Sequence, residues 1–423
     1  MNTKSIIWMA FFWVIWIHIF FSDSLTYACT GFMMSDGDKV LVGNNEDYYI
    51  PHTRVWFIPA ENGQYGRIYF GYENWFPQGG MNDQGLFFDF FATKPLEVEK
   101  SKDKPKFPGS IIDTMAGTCA TVEDVIEMFS QYNLEFMKKF QMFIVDKTGD
   151  AAIIEGDEIV RKTGSYQIVT GFHQSRVTEE NRPCRWNEWG CKQYKITDKM
   201  IAENDTPTVA HYRNILEATH RDTTKIKTLY SNIYDLKKGI IYLYYMHDFD
   251  NEVVIDLNEE LKKGRHYYVL PTMFGKDQKY GFKTYKNASP KFSISYPEHF
   301  KVNEPEGDEV LRLKCPFSGT PLFIVIVDDK PPNVDLVDIW DKQIASEVEE
   351  FASDVKFISS KQTKLRDGTP AIEIRFEWVS SDKWPLQTIV LAAYYQQQLV
   401  ITAITTLAHP EFFYDFLYSL SFE

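Results

Sequence analysis

The stretch Cys29-Thr30-Gly31-Phe32-Met33-Met34-Ser35-Asp36-Gly37-Asp38-Lys39-Val40-Leu41-Val42-Gly43-Asn44-Asn45-Glu46-Asp47 reads as two strands joined by a tight turn. Apolar residues flank Asp36-Gly37, a dipeptide that accepts the positive φ values of a two-residue hairpin turn. With that turn, Cys29 falls opposite Asn44, and the 43–47 segment returns to Cys29.

Immediately upstream, Lys4 supplies a charged start, residues 6–21 an apolar run interrupted by His18, and Thr26-Tyr27-Ala28 a cleavage site with small outer residues. This is the order of a secretory signal peptide. The apolar run is shorter than the ~20 residues a membrane span needs. Residues 1–28 are therefore expected to be removed on export to a periplasmic or extracellular location, leaving Cys29 as the first residue; an uncleaved anchor is the alternative. A lipidated cysteine would require Leu three residues earlier with small residues between, where Thr26 and Tyr27 stand.

Downstream, period-two apolar segments at 31–34, 40–42, 54–58, 67–70, 85–91, 143–145, 151–155, 168–170, 240–245 and 252–255 read as strands. Helical patterns fall at 110–116, 121–131, 185–203 and 208–218, with Thr121 an N-cap followed by Asp124. Strand blocks separated by helices predict stacked α and β layers. The polar 280–290 stretch reads as a linker. A second unit follows, with strands at 292–297, 322–327, 371–378, 387–395 and 399–405 and a helix at 336–351. Phe87, Phe88, Phe90 and Phe91 read as buried strand core, with an apolar acyl pocket as the alternative.

Composition narrows the function. Lys and Arg number 45 against 59 Asp and Glu, a formal charge of -14, and no basic stripe offers the clustered cations that phosphate binding requires. Nucleic acid is thus excluded as a partner, while a homo-oligomer is compatible with the sequence. Five cysteines, an odd number for an oxidising compartment, leave at least one thiol free or paired between chains, and Cys29 is the candidate. Cys184 and Cys191 could close a small disulfide loop. The sequence contains no HExxH, no GxSxG, no phosphate-binding glycine loop and no spaced Cys or His ligand set, so no metal or cofactor is expected. His173 reads as a structural, hydrogen-bonded histidine rather than a catalytic one.

A cysteine at a chain terminus can act as its own nucleophile and base. The α-amine, whose reference pKa is about 7.7–8.0, takes the thiol proton. The thiolate attacks an amide carbonyl, an acyl thioester forms, and water releases it. The developing oxyanion needs nearby donors, each worth on the order of 3 kcal/mol.

The Cys29-Thr30 pair, the 43–47 segment, Gln78-Gly79-Gly80-Met81-Asn82-Asp83-Gln84-Gly85-Leu86, Asp146-Lys147-Thr148-Gly149 and Ile153-Ile154-Glu155-Gly156 together resemble the penicillin V acylase and conjugated bile salt hydrolase (choloylglycine hydrolase-like) group of N-terminal nucleophile (Ntn) hydrolases. The resemblance covers about residues 29–274. It implies an α+β fold, a four-layer αββα sandwich over 29–284, and hydrolysis of a linear amide C–N bond in an N-acylated small molecule without a cofactor. It also implies Cys29 as nucleophile, Asp47 as the group that holds the terminal amine, and Arg185, in Cys184-Arg185-Trp186, as a later active-site arginine. Asn44 stands where bile salt hydrolases carry an arginine, and Ala92 and Gly171 stand where they carry asparagines. Asn44, Asn82 and the Gly171 N–H are therefore the substrate or oxyanion candidates, with Asp89 a further substitute for the missing asparagine, and bile salts are disfavoured as substrate. Transfer of the acyl group to an amine, as in the isopenicillin N acyltransferase-like branch, or a non-catalytic binding protein on the same fold are the alternatives. Residues 290–423 resemble a PsbP-like α/β sandwich through Phe292-Ser293-Ile294-Ser295-Tyr296-Pro297 and Asp367-Gly368-Thr369-Pro370-Ala371, which implies an accessory role.

Overall fold

A computed structural model describes residues 29–49, 52–177, 190–224, 226–276, 282–298, 300–315, 321–328, 334–350, 352–380, 385–406 and 410–422. The expected signal peptide, Cys184 and Arg185 lie outside these residues. The chain divides into two compact units. One holds the described residues up to Glu73 and from Pro77 to Lys276; the other holds Asn74–Phe76 and the described residues from Phe282 onward.

The first unit is built on two antiparallel sheets. In one, strands β1 (Thr30–Ser35), β2 (Val40–Tyr48), β10 (Tyr166–Val169), β11 (Lys227–Asp235), β12 (Ile240–Tyr245) and β13 (Asp248–Asp256) run in the order β10-β1-β2-β11-β12-β13. In the other, β3 (Thr53–Ile58), β4 (Arg67–Tyr72), β5 (Pro77–Asn82), β6 (Phe87–Ala92), β7 (Phe140–Val145), β8 (Ala151–Glu155), β9 (Glu158–Arg161) and β14 (His266–Val269) run β14-β3-β4-β5-β6-β7-β8-β9. Side chains alternate across each strand, so the central strands feed two layers. Met33, Val40 and Val42 from one sheet pack against Val55, Phe57, Ile68, Phe70 and Phe87 from the other. The opposite face of the first sheet, with Phe32, Met34 and Leu41, is covered by helices α3 (Cys191–Glu203) and α4 (Val209–Thr219) through Ile201, Tyr212, Ile215 and Leu216. Tyr212 locks this layer: its ring stacks on Phe32 at 4.7 Å, and its hydroxyl donates to Leu41 O at 2.7 Å.

Helix α1 (Ile111–Thr118) covers the outer face of the second sheet. Its Asp113 pairs with Arg67 at 2.9 Å and accepts from the Tyr69 hydroxyl at 2.7 Å, both on β4. Helix α2 (Val122–Ser130) starts at the Thr121 N-cap, where Thr121 and Asp124 form a reciprocal capping box, worth roughly 1 kcal/mol. The order of layers is α, β, β, α, as the sequence resemblance implies.

The hairpin differs from the sequence expectation in one respect. Its turn runs from Asp36 to Lys39, with the Asp36 carboxylate accepting from the Asp38 and Lys39 amides at 3.0 and 2.8 Å. An aspartate that bonds the backbone two and three residues on favours this wider turn over the two-residue one. The strands consequently pair Gly31 with Asn44 and Thr30 with Asn45. Continuing the register, Cys29 lies beside Glu46 rather than Asn44. The shift is by an even number of residues, so each side chain keeps its face.

The four phenylalanines of β6 fill core on both sides of their strand. Phe87 and Phe91 point between the sheets, while Phe88 and Phe90 lie on the other face, edge-on to each other, with Phe88 also edge-on to Tyr69. Among the described residues, Cys29, Cys119 and Cys315 are free thiols and Cys191 is disulfide-bonded.

In the second unit, the stretch read as a linker is instead a strand, β15 (Phe282–Ala288), paired with β16 (Lys291–Pro297). Its side chains are largely exposed, as a sheet edge permits, which is why its composition reads as a linker. A seven-stranded antiparallel sheet carries the rest. One face buries Ile324, Ile374 and Val390 against Ile339, Ile344 and Val348 of the helical 336–349 segment; that segment is a 3-10 turn, a π turn and an α turn rather than one regular helix. The other face packs Phe323 on Phe416, ring centroids 4.3 Å apart, completing an α/β sandwich.

Candidate active site

Cys29 lies at the entry to β1, a strand flanked by β2 and β10. Its thiol points between the sheets and is 5% exposed. Period-two alternation then decides what surrounds it. On β2, Asn44 and Glu46 share the inter-sheet face, while Asn45 and Asp47 face the helices. The Cys29 Sγ lies 3.5 Å from Glu46 Oε2 and receives the Asp47 backbone N–H at 3.4 Å. Glu46 Oε1 accepts from the Tyr72 hydroxyl at 2.7 Å, and Asn44 Nδ2 donates to Asp89 Oδ2 at 3.0 Å.

The charge pattern follows from burial with little cationic compensation. Loss of solvent, with the carboxylates of Glu46, Asp47 and Asp89 nearby, pushes the Cys29 thiol well above its ordinary value. Burial pushes Glu46 up to about 7 against the bonds from Tyr72, Cys29 and Asn44, and pushes Asp89 well up. Asp47 also rises to about 7, first through burial, with Arg221 and Thr228 pulling the other way. Thr228 donates to Asp47 Oδ1 at 2.6 Å, and Arg221 Nε lies 3.1 Å from Oδ2.

The sequence candidates separate cleanly. Cys29, Asn44 and Asp47 come together. Gly171 does so through the backbone: β10 pairs Val169 with Gly31, and the same register continued places Gly171 beside Cys29. Its neighbours are held by Gln141, whose Nε2 donates to Thr170 O and to Phe172 O. Gly190, at φ 74°, approaches so closely that a Cβ there would lie 2.8 Å from Gly171 N. Asn82 belongs to a different place. Its amide donates to Ala116 O and Cys119 O at 2.9 and 2.8 Å, and its carbonyl accepts from Gln84 N and Leu86 N. It closes the β5–β6 turn against α1 and has no bonding capacity left for a substrate. His173 Nε2 bonds Lys94 O at 2.9 Å, a structural contact.

The sequence reading includes Asp89 but not Glu46, Tyr72 or Arg221. The signal for Glu46 is the same as that for Asp89: each is an acidic residue at an inward position of an apolar strand, where a solvated charge has no place.

No protein-family model and no curated protein matches the chain. Among solved structures, it is similar to a mutant of the conjugated bile acid hydrolase from Clostridium perfringens, at 18% identity over 57% of this chain and 96% of that one, with a TM-score of 0.44. It is also similar to penicillin V acylase from Agrobacterium tumefaciens, at 15% identity over 56% of this chain and 90% of that one, TM-score 0.39. Cyanobacterial PsbP from Synechocystis matches 35% of this chain and 98% of its own length at 12% identity, TM-score 0.28.

Proposed function

We propose that this chain is an exported cysteine hydrolase of the Ntn type, cleaving a linear amide C–N bond of an N-acylated small molecule. The reading rests on one observation above all. The residue that signal-peptide removal would expose is also the thiol at the inter-sheet end of the central hairpin, with the Asp47 N–H on its sulfur at 3.4 Å and Gly171 beside it on the neighbouring strand. The Cys29 sulfur bonds to the amide carbon, the C–N bond breaks with a proton passing to the leaving amine, and water hydrolyses the thioester. The backbone N–H of Gly171 supplies a donor where Ala92 offers none, while that of Asp47 bonds the sulfur. Asp47, held by Thr228 and Arg221, orients the terminal amine. Export to the periplasm or exterior and self-association as a homo-oligomer belong to the same proposal, as does Arg185 as a substrate-side cation.

A second reading, a non-catalytic binding protein, draws on the thiol's high pKa in its acidic surroundings. A screen of N-acyl amides against the wild type and Cys29→Ser separates the two. The hydrolase reading expects turnover that falls by on the order of 10³-fold or more in the variant. Equal rates in both proteins would overturn it. Added amine diverting product to a new amide would move the assignment to acyl transfer.

A further inference from the structure

In the reading above, the α-amine of Cys29 accepts the thiol proton. At neutral pH an amine with the reference pKa of about 7.7–8.0 is mostly protonated. The proton acceptor within reach of the sulfur is a different group. We propose that Glu46 is a further catalytic residue, taking the Cys29 thiol proton on Oε2 while Tyr72 holds its carboxylate in place. The inference rests on the hydrolase reading.

Three observations carry it. Sγ and Oε2 are 3.5 Å apart, contact for a weak sulfur donor. The other oxygen, Oε1, is fixed by the Tyr72 hydroxyl at 2.7 Å, so the carboxylate cannot rotate freely away. Glu46 is buried between the sheets, a position that an apolar residue would occupy more cheaply, since a buried carboxyl costs several kcal/mol unless satisfied. The β11 bulge between Thr228 and Tyr230 sets Tyr230 opposite Glu46.

The steps balance. As the S–C bond forms, the thiol proton moves to Glu46. The protonated α-amine gives its proton to the departing nitrogen as the C–N bond breaks. In the second half, water attacks the thioester and gives a proton to the α-amine, and Glu46 returns its proton to sulfur as the S–C bond breaks. The burial that raises Glu46 to about 7 matches an acceptor to neutral working pH. Groups facing Glu46 are Cys29 at the entry to β1, Tyr72 from β4, Asp89 from β6, and Tyr230 and Tyr234 from β11, and the Asp47 carboxylate acts on it electrostatically from behind β2. Asp47 also titrates near 7, but its carboxylate lies on the other face of β2, against Thr228 and Arg221.

The test is the pH profile of Cys29 alkylation by iodoacetamide on the purified mature protein, read on the Cys29 peptide by mass spectrometry so that Cys119 and Cys315 do not contribute. Wild type is expected to accelerate through an inflection near pH 7. Glu46→Gln is expected to lose that inflection and react at least ~10-fold more slowly at pH 7.5, below the ~100-fold that general bases commonly supply; Glu46→Asp should recover part of the rate. Tyr72→Phe removes the bond that lowers the Glu46 pKa, so its inflection should move to higher pH. Removing a nearby negative charge without losing a base would make the thiol easier to ionise, so Glu46→Gln reacting as fast as wild type or faster overturns the proposal. Should Glu46→Gln fail to fold, an unmoved inflection in Tyr72→Phe overturns it equally. Alkylation needs no amide substrate, so failure of the hydrolase reading shows separately, as absent turnover of N-acyl amides by the wild type.

Discussion

At the scale of single residues, what matters at this site is the face of the strand on which a side chain falls. Glu46 and Asp47 are adjacent in sequence, yet one carboxyl meets the Cys29 thiol and the other meets Arg221 on the helix side. The proposed proton acceptor and the group proposed to hold the amine can thus share a single strand without their carboxylates competing. Asn82 shows the contrary case, a polar residue in a family-like motif whose work is structural. Replacing it by Ala leaves two carbonyls and two amides without their partner. At about 1–3 kcal/mol for each buried group that finds no water, Asn82→Ala should lower stability by roughly 2–4 kcal/mol in denaturant unfolding. The alkylation rate of Cys29 in the folded variant should stay at the wild-type value. A rate that fell with no loss of stability would return Asn82 to the active site.

Among the elements, the β1–β2 hairpin is fixed by close packing as well as by hydrogen bonds. A Cβ on Gly31 would lie 2.5 Å from Phe91 Cζ and 2.8 Å from Val169 Cγ1, so the ring of β6 occupies the space a side chain would need. Gly31→Ala should therefore cost about 1–3 kcal/mol through overpacking, seen as a lower thermal midpoint. The double variant Gly31→Ala with Phe91→Leu should recover part of that loss, and a double variant no more stable than either single would contradict the packing argument. Much of this architecture is legible in the sequence, because strands that feed two cores alternate or run apolar throughout and because Thr121 and Thr208 mark their helices with side-chain caps. Strand β5, Pro-Gln-Gly-Gly-Met-Asn, is not legible. Its glycines give no alternation to read, and Gly79 and Gly80 are demanded instead by Asp89 and by the Ile68 carbonyl, against which a Cβ would lie 2.2 Å away. The acidic residues beside Cys29 are legible only in part. Their inward positions on apolar strands mark them as unsolvated, but the pairing of the two sheets is needed to show that Glu46 meets the thiol and Asp47 does not.

For the whole molecule, buried carboxyls held above their ordinary values set the pH dependence of stability; Asp89 and Glu309 are raised by burial, and three more carry the largest share near neutral pH. Glu46 and Asp47 rise to about 7 in the first unit and Glu347 to about 8 in the second, each first through burial. An acid whose pKa is higher in the folded state holds its proton more tightly there, so its stabilisation is complete below the ordinary carboxylate range and is lost as pH rises through the folded value. Carboxyls held below their ordinary value, such as Asp36 and Asp124, act only at lower pH. The thermal midpoint is thus expected to fall between pH 5 and pH 7.5, and Glu46→Gln should shrink that fall. A wild-type midpoint that rises over this interval would contradict the burial assigned to these groups.

The central claim, that Cys29 acts as an N-terminal nucleophile, is tested most directly by the intact mass and N-terminal sequence of the exported protein. The account predicts a chain that begins Cys-Thr-Gly-Phe with a free α-amine. A chain that retains residues before Cys29, carries a blocked amine or begins elsewhere would contradict it.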